Sequence, residues 1–137
     1  MTVEQDNSNV VRELFAAFGR GDVKAVLNLF DDRVEFQSPV TRNAPPEVSW
    51  SKVRNGKEEV AAFFGELGSK MQIEAMNATK LFAAGEHVAV EGMNRGTVRS
   101  TGAKYEHDWV MIFSFRNGKI TRCVHYYDTA DLVVAFH

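Results

Sequence analysis

Apolar residues recur at helical spacing through the first half of the chain and alternate with polar residues through the second half. Residues 9–19 carry one apolar stripe, which predicts an amphipathic helix. We expect Gly19 and Gly21 to end this helix, because glycine accepts the positive φ that follows many helices. Asp22 is then the predicted cap of a second short helix that extends to Phe30. The stripe of the first helix consists of Val10, Val11, Leu14, Phe15 and Phe18.

A short strand and a loop follow the second helix. Val34 to Phe36 is predicted as the strand, which ends before Pro39. The stretch from Thr41 to Asn55 lacks a regular period and is predicted as a loop. It carries Trp50, and a large aromatic side chain in an otherwise polar loop suggests a segment folded over something. Two readings stay open for Trp50, a lid over a ligand or an anchor for the loop.

A third helix is predicted from Gly56 to Gly68, and from Met71 onward the pattern is that of strands. Asn117-Gly118 separates two β-rich runs and is a strong hairpin signal. Asp128 is predicted to cap a final short helix. These elements predict one α+β domain over residues 1–137, cone-shaped, with the N-terminal helices packed on a strongly curved, mostly antiparallel sheet. The four long strands are predicted at 71–83, 87–99, 103–116 and 119–127.

The third of these strands has two unequal faces. Side chains alternate along a strand, and the odd-numbered set is much the bulkier, so it is predicted to lie under the helices. The even-numbered face is apolar only at Val110 and Ile112, which suggests that a partner subunit covers it. We therefore expect a homodimer through the outer sheet face. The odd-numbered set consists of Tyr105, His107, Trp109, Met111, Phe113 and Phe115.

The same alternation turns Cys123, His125 and Tyr127 of the last strand toward the inner face. Together with Tyr105, His107 and Trp109, these residues bring several polar tips into one enclosure. Each polar tip in a dry core needs a partner, whereas a ligand pocket combines apolar walls with a few directional groups. The sequence therefore predicts a cavity for a small hydrophobic organic ligand.

Composition and charge narrow the function classes. The net charge of −2 gives no basic patch for nucleic acid or an anionic membrane. A single cysteine, Cys123, excludes an intramolecular disulfide and a thiolate zinc site. No apolar run reaches membrane-spanning length, and a cytoplasmic protein is expected. No metal is expected, since no inward carboxylate accompanies the histidines, and no cofactor is expected, since no phosphate-binding loop is present.

Several segments resemble the nuclear transport factor 2-like superfamily, which includes ketosteroid isomerase and the SnoaL-like polyketide cyclases. The resemblance covers nearly the whole chain and implies its fold, whereas functions vary widely on this scaffold. The segments that carry it are Leu14-Phe15-Ala16-Ala17-Phe18 with Gly21-Asp22, Leu29-Phe30-Asp31-Asp32-Arg33-Val34-Glu35-Phe36, Gly56-Lys57-Glu58-Glu59-Val60 and Phe115-Arg116-Asn117-Gly118-Lys119-Ile120 with Tyr127-Asp128-Thr129.

The resemblance can be carried to individual positions. The general base of ketosteroid isomerase corresponds to Ser38, its oxyanion tyrosine to a position near Leu14 and its protonated aspartate to a position near Met111. None of the three retains the side chain, which argues against that mechanism. The cyclase acid/base carboxylate corresponds to a position at or near His125, and histidine can also transfer protons near neutral pH.

Two hypotheses follow from these residues. In the first, the protein is a cofactor-independent isomerase, cyclase or lyase in which His125 and His107 move a proton on a small carbonyl compound and a tyrosine steadies the enolate oxygen. In the second, it is a non-catalytic binding or dimerisation module. The sequence leaves the orientation of Glu91 open and favours the capping role of Asp128. The predicted ligand contacts are Tyr105, Trp109, Met111, Phe113, Tyr127, Trp50, Ser38 and Cys123.

Overall fold

One six-stranded sheet forms the body of the molecule. The computed structural model describes residues 1–137. The strands lie in the order β2-β1-β6-β5-β4-β3, with β1 parallel to β6 and all other neighbours antiparallel. The predicted α+β class and the mostly antiparallel sheet are therefore confirmed. The elements are α1 (Val3–Gly19), α2 (Val23–Asn28), β1 (Phe30–Gln37), β2 (Arg54–Asn55), α3 (Gly56–Lys70), β3 (Met71–Ala84), β4 (His87–Val98), β5 (Lys104–Arg116), β6 (Lys119–Tyr127) and α4 (Thr129–Ala135).

The four long strands lie where the alternating pattern predicted them, within one residue at each end. The hairpin between β5 and β6 turns at Asn117 and Gly118, whose φ angles are 51° and 77°. Two successive positive φ angles are those of the tight turn that Asn-Gly favours, because its twist matches that of the flanking strands. The caps are confirmed too, since the Asp22 carboxylate accepts from the Ala25 N–H and the Asp128 carboxylate from the Asp131 N–H.

The helix boundaries required three corrections. α1 begins at Val3 rather than near residue 9, because Thr2 and Gln5 form a reciprocal capping box at its start. α2 ends before Phe30, which instead begins β1 and pairs with Ile120 of β6. α3 passes through Gly68 to Lys70, since Gly68 keeps a helical conformation and nothing forces the chain to turn there.

The helices pack on the inner face of the sheet and bury its apolar side chains. The buried core joins Val11 and Leu14 of α1, Phe63 of α3 and Phe113 of β5. Each such side chain stabilises the fold by about 1.5–3 kcal/mol relative to an exposed one. No helix of the structure combines the length and the apolar character needed to cross a membrane.

The loop between β1 and β2 is tied to the helices by a buried arginine. Arg54 donates to the Glu66 carboxylate at 2.9 Å and to the backbone carbonyl of Trp50 at 3.2 Å. Its guanidinium also lies over the Phe63 ring, 5.6 Å from the centroid. These contacts fix Trp50, whose side chain is fully buried, at one end of the candidate site.

Candidate functional site

Strands β5 and β6 turn their odd-numbered side chains toward the helices, as the alternation predicted. Met111 pairs with His125 across these strands, and Trp109 pairs with Tyr127. His107 and His125 are 7% and 4% exposed, whereas Val110 on the opposite face is 38% exposed. The two imidazoles therefore lie inside the fold.

His125 is held by the residue that directly follows the neighbouring parallel strand β1. Its Nδ1 lies 2.8 Å from the Ser38 hydroxyl oxygen, just beyond the end of β1. Its Nε2 is buried and has no hydrogen-bond partner in the protein. Burial, together with a smaller effect of the nearby His107, lowers the pKa of His125 to about 3. His125 is consequently neutral at physiological pH.

His107 is held by a carboxylate of the last helix. Its Nδ1 lies 3.0 Å from Asp131 Oδ2, and this same oxygen accepts the backbone N–H of Glu106 at 3.2 Å. The Nε2 atom of His107, on the other side of the ring, is buried without a partner. The site therefore contains a His–carboxylate pair that the sequence did not reveal.

Two tyrosine rings enclose the His107 ring. Tyr105 stacks on one side at a centroid distance of 5.5 Å and 20° between planes, and Tyr127 stacks at 4.8 Å and 14°. Burial raises the pKa of Tyr105 to about 12 and raises that of Tyr127 as well, so both phenols stay protonated. The Tyr105 hydroxyl has no partner, whereas the Tyr127 hydroxyl accepts from Trp50 Nε1 at 3.3 Å.

Two glycines of β4 make room for the aromatic side chains of β5. A Cβ at Gly92 would overlap the Trp109 ring, and a Cβ at Gly96 would overlap the Tyr105 phenol. Glycine inside a strand commonly marks such a close approach. Between them lies Asn94, which is buried and whose Oδ1 has no partner.

These side chains surround a cavity. The volume that the centre of a water-sized sphere can reach inside it is about 60 Å³. About 10–15 Å³ on this measure suffices for one water molecule, so the cavity can hold a small organic group. Of its 21 lining residues 17 are hydrophobic, and none is Asp, Glu, Lys or Arg. A bound molecule would therefore meet apolar walls, two imidazoles, two phenols, one amide and one serine.

Seven of the predicted site residues line the cavity and three do not. Trp109 lies behind the wall, stacked on Phe15 at 5.6 Å, because Gly92 leaves space for its ring. Phe113 belongs to the core and meets Phe15 edge-on at 6.3 Å. Trp50 anchors its loop through a hydrogen bond to Tyr127 and a ring contact with Phe136 at 6.1 Å, and it does not line the cavity. The cavity-lining seven are Ser38, Tyr105, His107, Met111, Cys123, His125 and Tyr127.

Two polar residues of the site were missed. Asn94 sits in the inward set of β4 together with Val88 and Val90, a signal that the alternation of that strand contained. Asp131 gave no signal, because an acidic residue in a first helical turn is ordinary. The structure also settles the orientation of Glu91. Its side chain faces outward, with Oε1 at 3.8 Å from Lys80 Nζ. No group of three or more His, Cys, Asp or Glu residues is placed to hold a metal ion.

Comparison with known proteins gives a family and a set of related folds. The sequence profile of the SnoaL-like domain matches residues 11–123. A search of curated protein sequences finds no significant match. Among solved structures, an NTF2-like protein from Burkholderia xenovorans LB400 is 30% identical, with a TM-score of 0.82 over 98% of both chains.

Two further solved structures share the fold at lower identity. One is a proposed polyketide cyclase from Silicibacter sp. TM1040, 23% identical, with a TM-score of 0.80 over 96% of this chain and 95% of the other. The second is a protein with a ketosteroid isomerase-like fold from Catenulispora acidiphila DSM 44928, in complex with trimethylamine. It is 16% identical, with a TM-score of 0.76 over 92% of this chain and 90% of the other.

Proposed function

The chain belongs to the SnoaL-like domain family of the NTF2-like superfamily, and from this premise we propose a cofactor-independent enzyme that transfers a proton on a small, neutral carbonyl compound. The reaction class is that of an isomerase, cyclase or lyase. The substrate is mostly apolar and is held in the internal cavity. The cyclase and isomerase-like names among the structural relatives support this class.

One observation carries the proposal. Six buried side-chain nitrogen or oxygen atoms lack a hydrogen-bond partner, and four of them belong to cavity-lining residues. A buried polar group without a partner costs about 1–3 kcal/mol, so such groups rarely gather in a purely structural core. Their concentration here supports a binding site. The four atoms are Asn94 Oδ1, Tyr105 Oη, His107 Nε2 and His125 Nε2.

The chemistry follows from the character of these groups. A neutral imidazole nitrogen removes a proton from the carbon next to the substrate carbonyl. The electron pair of the broken C–H bond forms a C=C double bond, and the π pair of the carbonyl moves onto its oxygen. The protonated Tyr105 hydroxyl donates to this oxygen as its negative charge develops. Return of the proton to a different carbon completes an isomerisation. No oxidant or cofactor enters this sequence.

Ketosteroid isomerase chemistry in its own form is not part of the proposal. The position of that enzyme's general base corresponds to Ser38, and here the Ser38 hydroxyl is bound to His125 Nδ1. The apolar Leu14 and Met111 both line the cavity in place of hydrogen-bond donors. Proton transfer in this chain would rest on the histidines.

Proton–deuterium exchange provides a test that needs no known substrate. The protein is incubated in D₂O with cyclohexanone, 2-cyclohexenone or acetophenone, and loss of the α-proton signal is followed by NMR. We expect exchange at least tenfold above buffer with one of these ketones, and its loss in His107→Gln. Val134→Ala, on the exposed side of α4, is the matched control and should retain the rate.

A different result would contradict the proposal. A ketone that raises the Tm of the protein without exchanging its protons would identify the chain as a binding module. Failure of every ketone to bind or exchange would reject the substrate class.

We also propose that the protein forms a homodimer through the outer sheet face. Phe82, Ala89 and Ile112 form one row across β3, β4 and β5, and Val110 and Tyr126 form part of the next. Phe82 of the first row and Val110 and Tyr126 of the second are 61%, 38% and 42% exposed, so these side chains leave apolar surface uncovered. The cytoplasmic location stays a prediction from the sequence.

A further inference from the structure

We infer that Asp131 is a positioning residue that fixes His107 as the proton acceptor of the cavity, while His125 serves as a hydrogen-bonding partner. This inference rests on the proposed function for its catalytic meaning. Its structural part, the state of the His107 ring, can be measured without a substrate.

The Asp131 carboxylate is held in place from two directions. Oδ2 accepts both the His107 ring and the Glu106 backbone N–H, at 3.0 and 3.2 Å. The backbone N–H of Asp131 in turn donates to the Asp128 carboxylate at 3.3 Å, which fixes the first turn of α4. The carboxylate is therefore preorganised next to His107.

This contact selects one tautomer of the neutral His107 ring. An ionised carboxylate can only accept hydrogen bonds, so Nδ1 of His107 must carry the hydrogen. Nε2 then presents a lone pair, and this is the ring atom that has no partner in the protein. His107 is consequently able to accept a proton from a bound molecule.

His125 lacks such a constraint. Its Nδ1 partner is the Ser38 hydroxyl, which can either donate or accept. Both tautomers are therefore open to His125. No carboxylate contacts it, so a positive charge on this ring would remain uncompensated in an apolar setting. The lowered pKa of about 3 agrees with that geometry.

The surroundings of His107 also suit the charged form of the ring. The faces of Tyr105 and Tyr127 lie on its two sides, and aromatic faces attract a cation. Asp131 supplies the opposite charge. After proton transfer the imidazolium is thus stabilised on three sides, which favours His107 over His125 as the base.

The arrangement specifies the substrate more closely. Tyr105 and His107 are two positions apart on β5 and their rings are stacked, so a hydrogen-bond donor and a proton acceptor stand side by side. A molecule that matches both groups has a carbonyl oxygen adjacent to an acidic C–H or O–H. Because no charged side chain lines the cavity, the molecule is neutral, as a ketone, a diketone or its enol is.

The test reads the tautomer directly. In protein labelled with ¹⁵N-histidine, long-range ¹H–¹⁵N correlations at pH 8 identify which ring nitrogen lacks a hydrogen. We expect Nε2 to be the unprotonated nitrogen of wild-type His107. In Asp131→Ala no acceptor remains for Nδ1–H, so both tautomers become open to the His107 ring and Nε2 should carry the hydrogen in part of the molecules. Ser38→Ala is the matched control, which should leave the His107 signals unchanged.

The kinetic readout separates positioning from folding. For a ketone that exchanges with the wild type, Asp131→Ala should lower kcat at least tenfold with KM changed less than threefold. A wild-type His107 with an unprotonated Nδ1 overturns the inference, and this measurement requires no variant. An Nε2 lone pair in a protein that exchanges no ketone upholds the positioning but rejects the proposed function.

Discussion

Gly96 lies directly opposite Tyr105 on the neighbouring strand, and a Cβ at position 96 would overlap the phenol oxygen. The same Cβ would also approach the backbone carbonyl of Gln72 on β3 too closely. The missing side chain of Gly96 thus gives the Tyr105 ring its place at the cavity wall.

Replacement of this glycine should therefore be costly. We expect Gly96→Ala to lower the free energy of unfolding by about 1–3 kcal/mol, the usual cost of overpacking, and to weaken ligand binding that depends on the Tyr105 hydroxyl. Gly65→Ala is the control, because position 65 lies inside α3 with open space around it. Alanine there should raise stability by up to about 1 kcal/mol. Urea denaturation measures both, and equal effects would contradict the account.

The lowered pKa of His125 makes stability depend on pH. The unfolded chain binds a proton at His125 below its ordinary pKa of 6.5, whereas the folded protein does so only near pH 3. Stability from this residue is therefore complete above pH 6.5 and is lost as the pH falls toward 3. Between pH 7 and pH 5 the loss should be about 2 kcal/mol, at roughly 1.4 kcal/mol per pH unit.

A variant isolates this contribution. His125→Gln keeps a polar side chain but cannot titrate, so its loss of stability between pH 7 and pH 5 should be about 2 kcal/mol smaller than that of the wild type. His107, the titratable neighbour that also lowers the pKa of His125, is retained in both proteins. Guanidinium denaturation at the two pH values provides the measurement. If wild type and His125→Gln lost the same stability between pH 7 and pH 5, His125 would bind its proton equally well in the folded and the unfolded protein.

Tyr127→Phe should destabilise the loop that carries Trp50. The change removes the oxygen that accepts from Trp50 Nε1, and a buried N–H left without a partner costs about 1–3 kcal/mol. Tyr126→Phe is a close control, since Tyr126 is the preceding residue and its side chain points outward. Chemical denaturation compares the two variants. Equal stability of both would show that the hydrogen bond contributes little.

The thiol of Cys123 should be unreactive in the folded protein. It is 2% exposed, and burial raises its pKa to about 12, so the nucleophilic thiolate is scarce. We expect a disulfide reagent such as DTNB to modify it only after addition of denaturant. Ser49→Cys, at an exposed position, should react at once in the folded state. Rapid modification of wild-type Cys123 would indicate that the cavity opens readily to reagents.

The outer sheet face should control the oligomeric state. Sedimentation equilibrium is expected to give twice the 15.4 kDa chain mass for the wild type and a single chain mass for Val110→Lys, which buries charge at the proposed interface. Val134→Lys, exposed on α4, should remain dimeric. A wild type that sediments as a monomer at all concentrations would reject the interface.

Local patterns sufficed for most of the fold. The alternation on β5 and the Asn-Gly turn predict which residues face inward, and His107 and His125 do lie on the inner face. The start of α1 was missed, because its polar first turns carry no apolar stripe and depend instead on the box between Thr2 and Gln5. The parallel pairing of β1 with β6 joins distant segments, and no local pattern encodes it.

The site was less predictable than the fold. The wall of a cavity depends on how closely side chains pack, which the alternation of a strand does not specify. The sequence therefore predicts Trp109 and Phe113 at the wall, whereas in the structure they pack behind it. The sequence favours His125 as the group that transfers the proton, because the acid/base carboxylate of the related cyclases corresponds to a position at or near it. The structure shows instead that Asp131, which lies 24 residues beyond His107 in the helix α4, holds the His107 ring with a carboxylate.

The placement of β6 between β1 and β5 has a consequence for synthesis on the ribosome. Ser38 emerges 87 residues before His125, its hydrogen-bond partner. Until residues 119–127 have left the exit tunnel, β1 and the β3–β5 meander have no strand to join them, and both retain open hydrogen-bonding edges. Direct pairing of these two edges before β6 emerges would give a non-native sheet. The cavity therefore forms only when the last strand is in place.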